Sequence, residues 1–203
     1  MRFELPREFI NQLVRRALTE DIGDGDRTTA AVVEQTDFLR AVFVAREPLI
    51  VAGLPVVHEV FRQLGDSQAV QDAVSEGEPV KAGDVIGTVD ASARRILTGE
   101  RVALNLLQRL SGIATLTRAF VDEVSGSDVR ILDTRKTTPS LRIIEKYAVV
   151  VGGGVNHRFG LFDAIMVKDN HIAAAGSVAE ALRRVRSETM EGIHVQIEVD
   201  TLD

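Results

Sequence analysis

From residue 129 onward the chain alternates short apolar strands with helical runs, and every strand ends in a charged cluster. Residues 129–133, 164–167 and 194–199 read as strands. Thr138-Pro139 supplies a cap and a first-turn proline before a helical run over 141–149. Ser177-Val-Ala-Glu180 is a capping box that opens a second helix through Leu182 and Val185. This order, βαβαβ, predicts parallel pairing with right-handed crossovers. Parallel strands put their C-terminal ends on one edge, where α/β barrels and open sheets build their sites. The clusters Asp133-Thr-Arg-Lys-Thr-Thr138, Lys168-Asp-Asn-His171 and Glu198-Val-Asp200 therefore converge on one mouth. One such cluster reads as a solvated loop; three on one edge favour a site.

The charge distribution says what that site takes. The net charge is −6, yet residues 94–168 hold 12 Lys and Arg against 7 Asp and Glu, and the rest of the chain holds 12 against 23. A basic middle in an acidic envelope suits a small anion rather than nucleic acid. Aromatic residues make up 4% with no Trp, which also argues against base stacking. With no cysteine, disulfides, thiolate metal sites and a cysteine nucleophile are excluded. Arg2, Glu4, Arg7 and Glu8 do not fit a secretory signal, and no apolar stretch is long enough to cross a bilayer, so a cytoplasmic protein is expected.

The N-terminal part reads as mixed α+β. Phe9, Ile10, Leu13, Val14, Ala17 and Leu18 recur at helical spacing after Pro6. The following Glu20-Asp-Ile-Gly-Asp-Gly-Asp26 has Gln35 where an EF-hand loop needs glutamate, and reads as a solvated turn. Strand-like runs follow at 38–45, 49–52, 69–74 and 85–89. The phrase at 76–87 is similar to the hairpins of biotinyl and lipoyl carrier domains but lacks their modifiable lysine, so it reads as β-sandwich scaffolding. A long helix is expected from near Thr98, with Val102, Leu106, Leu110, Ile113, Thr117, Phe120 and Val124 on its apolar face, Gly112 a weak point and Gly126 at its end. The boundary falls within 110–128, giving a sandwich-like domain at 1–113 and an α/β domain at 114–203.

Two further features point to an anion. Gly152-Gly-Gly154 followed by Asn156-His-Arg158 offers backbone N–H groups and a planar guanidinium, although a mobile connector reads equally well. Arg101, placed by this reading in the first turn of the long helix, gains nothing from the helix dipole there, so an external anion suits it; a simple pair with Glu100 is the alternative. Glu198 and Asp200 suit a hard cation, but two apart on a strand only one can face the site. No histidine pair has zinc spacing, and no Gly-x-Ser-x-Gly elbow is present. His58 and His194 suggest no function.

Asp133-Thr-Arg-Lys-Thr-Thr-Pro139, Gly152-Gly-Gly-Val-Asn-His-Arg158 and Val167-Lys-Asp-Asn-His171 together resemble the quinolinate phosphoribosyltransferases. Glu20 to Asp26, Glu100-Arg-Val-Ala-Leu-Asn105 and Glu198-Val-Asp200 match as well, in family order. The resemblance implies a sandwich-like domain packed on an α/β (TIM-like) barrel. It implies a reaction in which quinolinate and phosphoribosyl pyrophosphate give nicotinate mononucleotide, pyrophosphate and carbon dioxide, with magnesium, in NAD biosynthesis. It also implies a homodimer in which Arg101 reaches the neighbouring subunit's site. By that pattern Arg135, His157, Arg158 and Lys168 surround the quinolinate carboxylates, and Thr134 and Lys136 line the site, with Lys136 near the reacting centre. Glu198 stabilises positive charge on the ribose or helps to hold magnesium.

Against that pattern the chain stops at Thr201-Leu-Asp203, just after its third barrel strand. Three strands cannot close a barrel, so the third is expected as an exposed edge and independent catalysis by this chain is not expected. The rival readings are a nicotinate-using or molybdenum-transport-associated phosphoribosyltransferase, or a non-catalytic dimerising module; the complete basic set favours quinolinate.

Overall fold

The computed structural model describes residues 5–188 and 192–201. Arg2, Glu4 and the closing Leu202-Asp203 lie outside the described residues. The chain forms two compact units: Met1–Asp133 with Thr137–Val155, and Thr134–Lys136 with Asn156–Asp203. No helix among the described residues is long and apolar enough to cross a membrane.

In the first unit, helix α1 (Arg7–Ile22) begins directly after Pro6 and turns Ile10, Val14 and Leu18 inward at four-residue spacing. The Asp/Gly loop ends in a cap: Asp26 accepts from the Thr29 amide at 2.9 Å, opening helix α2 (Arg27–Val32), and from the Thr98 hydroxyl at 3.1 Å. Strands β1 (Phe38–Val44), β2 (Leu49–Ile50), β3 (Val70–Asp72), β4 (Pro79–Val80) and β5 (Val85–Ser92) follow, with helix α3 (Leu54–Gln63) between β2 and β3. β5 is central, antiparallel to both β1 and β3, while β2 and β4 form a separate two-stranded ladder. The phrase at 76–87 is thus not one hairpin, because its two halves pair in different sheets. Pro79 cannot donate to a ladder, and β4 is correspondingly only two residues long.

Helix α3 did not emerge from the sequence. Its buried residues Leu54, Val56, Val57, Val60 and Phe61 lie on one face, opposite Pro55, His58, Glu59 and Arg62, a helical period that the strand-like reading of the flanking runs passed over. Helix α4 (Ala93–Glu123) starts five residues before the expected Thr98, with the Ser92 hydroxyl accepting from the Arg95 amide. Of the expected inward face, Val102, Leu110 and Thr117 are buried and Leu106 and Ile113 half-buried, whereas Phe120 is 56% exposed; Gly99, Ala103, Leu107 and Ala114 widen the buried face. The small residues let α3 approach: a Cβ at Gly99 would press on Leu64, Val60 and Phe61. Hydroxyls of α4 then satisfy β2 and the backbone that follows it, Thr115 accepting from the Ile50 amide at 2.8 Å and Ser111 from the Ala52 amide at 3.1 Å.

Helix α5 (Arg142–Val151) begins later than expected, after Leu141, because Ser140 takes a positive φ of 67°. Thr138 does not cap it. The helix ends in a Schellman turn, with Gly153 at φ 97°, the Gly154 amide donating to Val149 and the Gly153 amide to Val150. The strand expected at 129–133 shrinks to one parallel bridge, Leu132 to Val155, flanked by Asp133 N–H to Val155 O at 3.1 Å and Val155 N–H to Ile131 O at 2.9 Å.

The second unit contains strand β6 (Ile165–Val167), helix α6 (Asp169–Ala175), helix α7 (Val178–Glu188) and strand β7 (Val195–Ile197). β6 and β7 pair in parallel, Ile165 opposite Val195 and Val167 opposite Ile197. Helix α6 occupies the residues read as a post-strand loop. Of the capping box expected at α7, the Glu180 amide does donate to the Ser177 hydroxyl at 3.2 Å, but the Glu180 carboxylate is held by Arg183 and Arg184 instead.

Two glycine substitutions are expected to act with opposite signs. A methyl group at Gly152 would collide with the Ala114 carbonyl and lie 2.8 Å from Thr117 Cβ, so Gly152→Ala should destabilise by about 1–3 kcal/mol. Gly112 sits exposed within α4 with nothing near a new Cβ, so Gly112→Ala should stabilise by about 0.5–1 kcal/mol. Urea unfolding of both variants measures this.

Candidate functional site

In the second unit the parallel register decides what meets. Val167 lies opposite Ile197, and the Glu198 amide donates to the Val167 carbonyl at 2.9 Å, which carries the ladder one residue further. Lys168 and Glu198 therefore leave the sheet side by side, and Lys168 Nζ donates to Glu198 Oε2 at 3.1 Å. Asp200, two residues on, is exposed. The two charges expected at the strand ends are a pair.

The connection into β6 carries His157 and Arg158. His157 Nε2 donates to the side-chain oxygen of Gln196 on β7 at 2.8 Å. Arg158 donates to the Ala164 carbonyl at 3.2 Å. Asp163 shapes this turn by accepting from the Phe159 amide at 2.6 Å and the Gly160 amide at 2.9 Å. After β6, His171 Nδ1 accepts from the Lys168 amide at 3.0 Å, which places the ring proton on Nε2 and fixes the backbone carrying Lys168. Gln196, Asp163 and the structural use of His171 were missed by sequence reasoning. Asp163 had a signal, an acidic residue closing a glycine-containing turn; Gln196 had none.

In the segment 134–136, Thr134 Oγ1 accepts from the Lys136 amide at 3.0 Å, closing a tight turn. Lys136 is exposed and Arg135 half-buried. Asp133 and Thr138, the two ends of that sequence cluster, belong to the first unit and have their own partners there: Lys146 pairs with Asp133, and the Thr138 amide donates to Glu145 at 3.0 Å.

Two expectations do not hold. Arg101 lies in the third turn of α4 rather than its first, because the helix starts at Ala93, so the dipole argument for it falls away. It is nonetheless exposed, and among the described residues neither it nor Glu100 is in an ion pair. The glycine triplet is not an anion cradle. The amides of Gly152, Gly153 and Gly154 are all spent on carbonyls of α5, and Gly152 and Gly154 pack against α4 at Ala114 and Thr117. Among the described residues no three His, Asp or Glu side chains cluster as a metal site. His58 bridges to Asp72 at 3.0 Å, a structural partner.

One cation and one carboxylate, Lys168 and Glu198, thus stand together at the ends of two parallel strands of an α/β unit. Residues 26–111 match the family model of the quinolinate phosphoribosyl transferase N-terminal domain, and residues 113–203 that of the C-terminal domain. The chain is 48% identical to the Mycobacterium leprae nicotinate-nucleotide pyrophosphorylase [carboxylating], covering 94% of this chain and 68% of that protein. It is 43% identical to the probable enzyme of that name from Synechocystis, over 98% of this chain and 67% of that one. The quinolinate phosphoribosyltransferase [decarboxylating] 1 of Nicotiana glauca is 42% identical over 97% of this chain and 56% of its own length. The crystal structure of NadC from Streptococcus pyogenes superposes with a TM-score of 0.92 at 42% identity, covering 98% of this chain and 70% of that one. This chain belongs to the quinolinate phosphoribosyltransferase family. It spans about two thirds of the length of the bacterial relatives and just over half that of the plant one.

The Lys168–Glu198 pair is exposed on both sides, 42% and 62% for the two side chains, so solvent screens it. Glu198→Gln should change unfolding free energy by less than about 0.5 kcal/mol in a urea titration. A larger loss would mean that the pair holds the two strands together.

Proposed function

We propose that this chain supplies the quinolinate-binding face of a carboxylating phosphoribosyl transfer: quinolinate and phosphoribosyl pyrophosphate give nicotinate mononucleotide, pyrophosphate and carbon dioxide. The observation that carries this reading is the strand-end group of the second unit, where Lys168 stands 3.1 Å from Glu198 and His157 is held to β7 through Gln196. Quinolinate carries two adjacent carboxylates on a planar ring. Arg135 and Arg158 suit them as planar forks, and Lys168 and His157 add hydrogen-bond donors. Thr134 and Lys136 line the same site, with Lys136 near the reacting centre.

As the ring nitrogen bonds to the ribose carbon and pyrophosphate leaves, positive charge develops on the sugar. A carboxylate set beside it stabilises that charge, and Glu198 takes this role. Lys168 holds Glu198 aimed until substrate arrives, then turns to a substrate carboxylate. Glu198, a well-exposed oxygen donor, also fits a magnesium ion, which binds through one or two carboxylates and substrate phosphates rather than a full protein cage. When bound, magnesium would neutralise charge on the leaving pyrophosphate.

The same reading makes the second unit part of an α/β barrel and the protein a cytoplasmic homodimer. Arg101, exposed on α4, would then serve the neighbouring subunit's site.

Isothermal titration of quinolinate and of nicotinate tests the substrate class. Saturable binding of quinolinate but not nicotinate is expected, and the reverse preference would overturn the reading. Arg135→Ala and Arg158→Ala should each weaken quinolinate binding by about 10–100-fold, the usual worth of a charge-assisted pair. Unchanged affinity in both variants would remove these residues from the carboxylate site.

A further inference from the structure

Successive side chains of α5 hold the residues on both sides of the segment 134–136. Lys146, wholly buried, pairs with Asp133, whose side chain is 6% exposed. Glu145, one residue earlier and also buried, accepts from the Thr138 amide at 3.0 Å. Arg109 of α4 donates to that carboxylate from Nε at 2.9 Å and also reaches the Thr138 hydroxyl. Arg142 Nε adds a bond to the Thr137 hydroxyl at 3.1 Å. Burial by itself would raise the Glu145 carboxyl, but the Arg109 guanidinium and the Thr138 donors outweigh it and hold the group below the usual carboxylate range. One residue further along, the Tyr147 hydroxyl bonds to Glu76, which accepts the Leu54 amide at 3.0 Å at the start of α3. α5 is thus itself pinned in the first unit.

Packing does not require this arrangement. A buried ion pair costs desolvation that an apolar pair of the same size avoids, so Lys146 and Asp133 add little to stability over such a pair. What the pair and its neighbour do accomplish is positional. One clamp sits at residue 133 and the other at 137–138, leaving three residues between, closed on themselves by the Thr134–Lys136 turn. Those three residues carry Arg135 and Lys136.

We propose that Glu145 and Lys146 are positioning residues, two adjacent clamps on α5 that fix the ends of the segment bearing Arg135 and Lys136 so that both cations are preset for the quinolinate dianion. The proposal rests on the quinolinate reading, since the preset cations matter only if that dianion is the ligand. Neither clamp touches substrate; each acts through the residue it holds.

The test compares this chain with Glu145→Gln and with the paired variant Asp133→Asn/Lys146→Met, which removes the clamp without leaving a buried charge alone. Three readouts are taken: the thermal midpoint, the native-state rate of tryptic cleavage after Arg135 and Lys136 mapped by mass spectrometry, and the dissociation constants of quinolinate and of phosphoribosyl pyrophosphate. The paired variant should keep a midpoint near that of the parent, so that it remains a fair test if Glu145→Gln folds poorly. Cleavage after Arg135 and Lys136 should speed up at least about 10-fold relative to other sites, because cleavage follows the population of the opened segment. Quinolinate affinity should fall about 10–100-fold, with phosphoribosyl pyrophosphate affinity little changed, since a small misplacement of a binding group costs that much. Unchanged cleavage at those two bonds overturns the clamp whatever the binding data show. Faster cleavage with unchanged quinolinate affinity overturns the positioning role. Faster cleavage in a chain whose parent form never binds quinolinate leaves the clamp standing as a mechanical device, and it is then the substrate reading that fails.

Discussion

Close packing along one helix is the constraint on which the rest of the first unit depends. α4 runs unbroken for 31 residues, and its inward face is built of small side chains where neighbours must come near. At Gly99 it admits α3, and at Ala114 it admits the glycine turn that ends α5. Its hydroxyls at Ser111 and Thr115 satisfy amides at and just after β2 that the two-residue ladder leaves unpaired. Sheet, helices and the α5 turn are thereby referred to one rod, and α5 in turn reaches the backbone around residues 133–138.

The electrostatic picture is narrower than the charge arithmetic suggested. The basic excess over residues 94–168 predicted a pocket rich in free cations. Much of it is committed elsewhere: Arg94 to the Val33 carbonyl, Arg109 to Glu145, Arg118 to the Gly152 carbonyl, Arg142 to Thr137 and Lys146 to Asp133. Even among the cations of the proposed site, Arg158 donates to the Ala164 carbonyl and Lys168 to Glu198. A local surplus of positive charge measures the sum of structural and functional roles, and only geometry separates them.

Two of the three strand-end clusters were legible because parallel pairing follows from element order, and element order follows from periodicity; the third, at 133–138, follows a single bridge rather than a strand. β6 and β7 duly pair in parallel, and Lys168 and Glu198 emerge together. The family was legible from motifs in their order. The glycine triplet was left open between an anion cradle and a connector because Gly-rich turns look alike in sequence. Whether their amides face a ligand or their own helix depends on the φ of one residue, here 97° at Gly153. Arg101 was misplaced on its helix because the helical period was read only from Thr98, although Ala93 and Ile96 already lie on the buried face of α4.

The sequence by itself determined which residues carry charge at the ends of which strands, since that depends only on period and order. It also determined that the chain uses no thiol, because it has no cysteine. Tertiary structure alone decided which of those charges face each other. Lys168 with Glu198, Glu145 with Arg109 and Lys146 with Asp133 are separated by 30, 36 and 13 positions. No local pattern selects such partners. They are chosen by the register of one parallel ladder and by how closely two helices can approach.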